Sequence, residues 1–439
     1  MTGRVRPMAA PLAEVSEDAI ALSFTAKYRD IMKFDHTAGR WFRWDGERWQ
    51  KDGTDCAFHF ARVIGRKLGE GKRQICKASV AGGAERMARA DPAHAVEAGQ
   101  WDADPMLLGT PGGTVDLRIG KLRKPDPADK ITRLTSCAPS AAQPTRWLKF
   151  LHEITGGDLE LIRFLQQWLG YCLTGETREH ALLFVYGPGG NGKSVFLNTA
   201  TRILADYAAT AGMDTFTASK FDHHPTDLAM LQGARLVSAS ETEEGRAWAE
   251  ARIKQITGGD PITARFMRRD FFTYTPAFKL MIVGNHAPVL NNVDEAARRR
   301  FNIVPFTRKP SKPDRQLEQK LKAEDGAILA WMIAGCLDWQ ANGLVRPDIV
   351  TAATDDYFND QDLFKQWIDE RCERGAHRAS APSLLFNDWS TYARLAGDDP
   401  GNVRTMSDRL QRHGVRRAKT NGARIYRGIS LRLENIADG

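Results

Sequence analysis

The run Tyr186-Gly-Pro-Gly-Gly-Asn-Gly-Lys-Ser194 constrains the fold more than any other stretch of this chain. Gly187, four intervening residues (Pro188, Gly189, Gly190, Asn191) and then Gly192, Lys193 and Ser194 fit the phosphate-binding loop pattern, whose glycines let backbone N–H groups close on an anion without a Cβ in the way. The flanks agree. Ala181 to Tyr186 is a short apolar run of buried-strand type, and Val195 to Leu204 has apolar residues at helical spacing. Strand, glycine loop and helix N-terminus bring oriented amides and the positive end of a helix dipole to one point, which predicts an α/β P-loop ATPase domain. Gly187 through Val195 are the expected nucleotide-binding residues, with Lys193 reaching the β- and γ-phosphates and Ser194 ligating the metal. ATP and Mg²⁺ are the expected ligands.

With 439 residues, a chain of this length holds about three domains, and 42% apolar with 26% charged residues is ordinary for a protein that buries a core. The net charge of +8 favours a polyanionic partner. Six cysteines (56, 76, 137, 172, 336, 372) include no C-x-x-C pair, which argues against a zinc ribbon or a disulfide framework and suits a reducing cytoplasm. The first residues lack the apolar segment of a signal peptide, and the longest near-apolar stretch, 327–337, is too short to span a bilayer. No membrane partner is expected.

Residues 1–15 read as a disordered arm, followed by an α+β N-terminal domain over 16–140. An amphipathic helix is expected from Glu17. Residues 39–50 alternate large apolar and polar residues around Asp45-Gly46, the pattern of a β-hairpin. Trp41, Trp44 and Trp49, interleaved with arginines, either stack on bases or, the favoured reading, pack the core of a small domain. Residues 56–97 are helical in tendency and begin basic, with Arg62, Arg66, Lys67, Lys72, Arg73 and Lys77. A β-like piece covers 106–122, and 125–144 reads as a linker. Over 145–180 two helices meet at a Gly-Gly-Asp break with Asp158 as N-cap; they form either a collar between subunits or a layer on their own ATPase domain.

The ATPase domain with a helical lid is expected over 181–346. Ala234 to Glu244 reads as a strand delivering carboxylates, and Glu241 and Glu243 are the candidates to hold Mg²⁺ and polarise the attacking water. Two β-rich runs, 262–267 and 271–275, flank Arg268-Arg269-Asp270 and predict a hairpin with a basic tip. Phe278 to Gly284 is a buried strand ending at Asn285, an amide placed to sense a γ-phosphate. Three arginines, 298–300, precede another strand.

These motifs in this order resemble superfamily 3 helicases, specifically the phage and plasmid primase-helicase group related to poxvirus primase-helicases. The likeness covers roughly residues 20–310. It implies an AAA+-like core in which Lys193 and Ser194 bind nucleotide and Mg²⁺, Glu241 and Glu243 form the acidic motif, and Asn285 is the sensor. It further implies that Arg268 and Arg269 contact DNA, that Lys254 and Lys279 sit in the basic context of that contact, and that an arginine of 298–300, with Arg299 and Arg300 ahead, serves the neighbouring subunit of a hexameric ring. Single-stranded and forked DNA and a separate primase or other replication proteins are the implied partners, since no primase signature is found in this chain.

Residues 355–439 differ in character. Between Arg404 and Arg432 nine basic residues face one acidic, Asp408, and a helix followed by a hairpin turning at Asn421-Gly422 reads as a winged-helix-like DNA-binding domain, with Arg416 and Arg417 on phosphates. A solvated basic face or a protein-docking module is the alternative. The whole chain reads as an ATP-dependent DNA helicase that translocates as a ring, or as a non-translocating origin-binding initiator or helicase-loader ATPase.

Overall fold

A computed structural model describes residues 15–218, 225–241, 247–267, 270–286, 288–290, 295–310, 312–396, 399–420 and 423–432. Helix α1 (Glu17–Tyr28) starts at Ser16, whose hydroxyl accepts from the Ala19 N–H, and Glu17 and Asp18 complement the dipole in its first turn. Strands β1 (Met32–Asp35), β2 (Arg40–Trp44) and β3 (Trp49–Lys51) form an antiparallel meander, and β4 (Ala95–Val96) joins β1 in parallel. The expected turn is there: the Asp45 carboxylate accepts from the backbone of Glu47 and Arg48 at 2.8 Å, and Gly46 takes φ +108°. Helices α2 (Cys56–Leu68) and α3 (Ala78–Ala90) pack with α1 and the sheet around Phe24, Phe34, Trp41, Ala61 and Ala84. Trp41 and Trp49 are buried, and their indole N–H groups donate to the Glu85 carboxylate and the Pro127 carbonyl. The core role of these tryptophans is therefore the one realised.

Strands β5 (Leu107–Thr110), β6 (Gly113–Asp116) and β7 (Lys121–Arg123) make a small sheet whose Leu108 and Val115 join the core of the following unit, not the first. The first core thus ends well before residue 140. Nor is 125–144 a free linker. Trp49 N–H donates to the Ile131 carbonyl, Ser136 to Ile203 and Ser140 to Gly326, at 2.8–3.0 Å, and these bonds strap the segment across both units.

Helices α4 (Thr145–Thr155) and α5 (Leu159–Cys172) precede β8 (Leu182–Tyr186), α6 (Lys193–Leu204), β9 (Ala208–Thr210), α7 (Pro225–Ala229), β10 (Leu236–Glu241), α8 (Glu250–Gly258), the hairpin β11 (Ile262–Ala264) and β12 (Phe272–Tyr274), β13 (Lys279–Gly284), α9 (Glu295–Arg298) and β14 (Phe301–Pro305). Five of these strands form one parallel sheet in the order β14-β8-β13-β10-β9. Both faces are covered, which is why β8 and β13 read as continuous apolar runs. On one face lie α4, α5, α6, α10 (Leu317–Lys322) and α11 (Asp325–Asn342), so the helical pair expected as a collar buries its apolar residues within its own chain. Helices α5 and α11 meet at Gly170 and Gly335, where a Cβ on either would run into the other helix's backbone. Helix α12 (Asp348–Gln361) packs on β14, with the Thr354 hydroxyl accepting from Ile303 N–H at 3.1 Å, so the sheet unit extends past the expected limit of 346.

The last unit has its own core of Phe364, Trp367, Trp389, Leu410, Tyr426 and Ile429. Its order is α13 (Leu363–Arg371), β15 (Cys372–Ser380), α14 (Pro382–Leu395), α15 (Val403–Arg412), β16 (Arg416–Thr420) and β17 (Ala423–Leu431), with the sheet ordered β15-β17-β16. A capping box between Asn402 and Thr405 opens α15.

Candidate functional site

The loop between β8 and α6 is shaped by Gly187, Gly190 and Gly192, whose φ values of +149°, +81° and +85° disfavour any other residue. A Cβ on Gly187 would overlap the Phe306 carbonyl beyond β14, and one on Gly192 would lie 2.8 Å from Ile154 and Phe150 of α4. Asn191 ties the loop down by donating its amide to the Phe306 carbonyl. Pro188, Gly189, Gly190 and Ser194 remain exposed, while Val195 packs partly against the core.

Lys193 opens α6 and is only 7% exposed. Its Nζ donates to the Gly187 carbonyl at 2.5 Å and to Oδ1 of Asn191 and of Asn285 at 3.1 Å, with the Pro188 carbonyl at 3.4 Å. Every one of these acceptors is neutral. Burial pulls the ammonium below its ordinary pKa, and a buried cation held by dipoles alone lacks a counter-charge. The donor set therefore fits a polyanion such as a nucleotide polyphosphate, with Lys193 and the loop amides as its ligands.

Strand register decides what else reaches this edge. Tyr186 pairs with Gly284 and Pro305, and Gly284 pairs with Glu241, so the carboxyl ends of β8, β13 and β10 are level. In open α/β sheets ligands sit at that edge. Asn285 follows β13 directly beside the loop, and the Glu241 backbone lies two strands away, about 10 Å. The Glu241 side chain and Glu243 lie outside the described residues.

The arginine cluster is at the other edge. Phe301 pairs with Leu182, whose N–H donates to the Arg300 carbonyl, and Phe301 lies about 13 Å along the strand from the level of Tyr186, so Arg299 and Arg300, which precede it, stand further still from the loop. Arg298 is bound to Asp355 at 3.2 Å and lies against Phe358; Arg300 is half-buried and donates to the Ala296 carbonyl at 2.6 Å. Arg299 is exposed. Its own chain's loop is out of its reach.

The hairpin β11–β12 exists, in antiparallel register from Ile262–Tyr274 to Ala264–Phe272. Arg268 and Arg269 lie outside the described residues; beside them Arg265 covers the Phe271 ring and Phe266 stacks on Phe272. Lys279 is corrected. It is buried rather than DNA-facing: its Nζ donates to the carbonyls of Thr174, Glu176 and Ala277 and lies over the Tyr171 ring, and desolvation lowers its pKa to about 7. Arg235, buried beside it at the start of β10, donates to the Leu173 and Leu107 carbonyls. Together the two cations hold the carbonyl end of α5. One sequence signal pointed there: a single lysine opening an otherwise apolar strand. Lys254 is half-buried and engaged on α8, so it is not a free surface cation either.

In the last unit Arg416 and Arg417 are exposed on β16, but Arg417 is held by the Ser407 hydroxyl at 2.5 Å and Asp408 at 3.1 Å of α15. An open groove of about 920 Å³ runs between α15 and the β16–β17 pair, lined in part by Arg404, Lys419 and Arg424.

Comparison with known proteins adds the lineage. Residues 21–156 match the family described as D5 N terminal like, and 185–300 match a family of unknown function. A protein of Acanthamoeba polyphaga mimivirus named a putative helicase is 25% identical over 61% of this chain, and one of the same description from Frog virus 3 (isolate Goorha) is 25% identical over 55%. Those matches span only 30% and 27% of the relatives' own lengths. Among solved structures, the apo C-terminal region of NrS-1 superimposes with a TM-score of 0.53 over 95% of this chain and all of that one, at 12% identity, which shows a shared fold. No described helix is long and apolar enough to cross a membrane. The D5-type N-terminal match and the viral relatives named putative helicases support a likeness to phage and viral primase-helicases, and the solved structure shows a fold shared along nearly the whole length.

Proposed function

We propose that this chain is an ATP-hydrolysing DNA motor with an AAA+-like superfamily 3 core, which assembles into a ring and unwinds DNA during replication. The observation that carries this reading is Lys193, buried among neutral acceptors at the edge where β8, Asn285 and the end of β10 meet. ATP with Mg²⁺ at this edge would supply a phosphoanhydride whose cleavage drives the motor. In this reading Lys193 compensates charge on the β- and γ-phosphates, Ser194 and Glu241 hold the metal, Glu243 polarises water and Asn285 fixes its position. The helix-strand-helix-helix-strand-strand order of the last unit supports a winged-helix module whose Arg416, Arg404 and Lys419 take phosphates.

A second reading, a non-translocating initiator or loader ATPase, is favoured by one observation: the last unit closes its own core and carries an exposed basic face, as a duplex-recognising module requires. A forked duplex with a single-stranded tail separates the two. Strand displacement by the wild type that needs ATP and disappears with Lys193→Ala supports the motor. Hydrolysis and duplex binding without displacement support the initiator, and the absence of ATP hydrolysis sinks both.

A further inference from the structure

The first unit carries a surface that the proposed motor does not use. Helix α2 buries Ala57, Ala61, Ile64 and Gly65 and turns His59, Arg62, Val63, Arg66 and Lys67 to solvent. In the turn that follows and at the start of α3, Lys72, Arg73 and Lys77 are also exposed. Between 56 and 77 these six cations face a single carboxylate, Glu70. Arg62 meets the His59 ring at 3.2 Å, and among the described residues the ion pairs of this unit lie elsewhere, at Arg29, Arg48 and Arg89. Arg66 and Lys67 have an internal reason to be there, since the last turn of a helix favours cations. Arg62, a turn earlier, and Lys72, Arg73 and Lys77, beyond the helix, have none.

The chemistry of the patch selects its partner. Arg62 and Arg66 are about 6 Å apart along a convex helix. The exposed ring on this face, His59, is engaged by Arg62 at 3.2 Å, and Phe58 and Phe60 are half-buried, with Phe60 stacked on Tyr28 at 4.5 Å. A surface that binds the bases of a single strand needs rings free to stack. A protein interface needs an apolar or aromatic centre, and Val63 and Leu68 are the exposed apolar residues on the helix. What remains is neutralisation of phosphates. We propose that the outer face of α2 and the turn after it form a second, sequence-independent docking surface for the backbone of duplex DNA, separate from the basic groove of the last unit.

The proposal rests on the reading that this chain acts on DNA, and the test keeps the two apart. The full chain, a variant with Arg66, Lys67, Lys72 and Arg73 all replaced by alanine, and an Arg416→Ala/Arg417→Ala variant are titrated with a short duplex of arbitrary sequence across a salt series. The four-alanine variant should lose roughly three to four units of slope in log K against log salt and bind at least about tenfold more weakly at low salt. A companion with Arg66→Lys and Arg73→Lys should keep the wild-type slope, and all chains should unfold cooperatively, the four-alanine variant at a slightly lower temperature because Arg66 and Lys67 complement the end of α2. Wild-type affinity and slope in the four-alanine variant overturn the surface, and so does weaker binding at an unchanged slope. If the Arg416/Arg417 variant alone loses slope, the DNA reading stands and this surface does not; if the wild type shows no salt-dependent duplex binding, both fall.

Discussion

A buried lysine without a carboxylate means opposite things at the two edges of this sheet. Lys193 sits beside exposed loop residues and an exposed Ser194, so in the proposed function its missing counter-charge is one a phosphate would supply. Lys193→Ala should leave the fold intact and reduce ATP hydrolysis to background, because it removes the ammonium held at the loop carbonyls; near-normal turnover in a folded variant would refute the site. Lys279, at the opposite edge, is enclosed with its acceptors, and desolvation sets its pKa near 7 against an ordinary 10.5. Between those values the unfolded chain holds a proton that the folded chain lacks. The contribution of Lys279 to stability is therefore smallest below about pH 7 and grows as pH rises toward 10.5. In urea unfolding, the stability of the wild type relative to Lys279→Met should increase from about pH 7 to about pH 10, and a flat difference would mean that the amine stays protonated.

At the scale of elements, the glycine loop is only as good as the helices behind it. Helix α4 touches Gly192 through Phe150 and Ile154, and α5 is locked to α11 where Gly170 faces the Cys336 backbone. A methyl group at Gly170 cannot be absorbed by a rotamer change, so Gly170→Ala should cost about 1–3 kcal/mol in urea unfolding. Gly189→Ala, with open space around its Cβ position, should be silent; equal effects would show that the helix contact is not the determinant. Contacts of this kind mark the limit of what the residues disclose by themselves. Features fixed by local chemistry were legible: the loop and its flanking elements, the Asp45-Gly46 turn, and Asp158 accepting from Leu161 N–H at 3.0 Å. Features fixed by pairing across the chain were not. Nothing local says that Leu108 and Val115 belong to the second core, that α12 closes the sheet unit, or that the strand bearing Lys279 pairs beside β8 and so buries its first residue.

At the scale of the whole molecule, sheet direction turns a sequence cluster into a statement about assembly. All five strands are parallel, so residues just before β14 lie at the edge opposite the glycine loop of the same chain. Of the three arginines there, Arg298 is committed to Asp355 and Arg300 to the Ala296 carbonyl, which leaves Arg299 as the exposed guanidinium. If charge on the transferring γ-phosphoryl is compensated by this residue, it must come from a neighbouring subunit, an arrangement that raises phosphoryl-transfer rates by about 10³–10⁵-fold. Arg299→Ala should then reduce hydrolysis by orders of magnitude while nucleotide binding persists, and wild-type hydrolysis should rise more steeply than linearly with protein concentration. Mixing Arg299→Ala chains with Lys193→Ala chains should restore part of the activity, because some interfaces then join an intact loop to an intact arginine. Restoration identifies the arginine as acting in trans. An Arg299→Ala chain that hydrolyses ATP at the normal rate, or a wild type fully active as a dilute monomer, would rule the mechanism out, and loss of activity without restoration would place Arg299 in the stability of the interface instead.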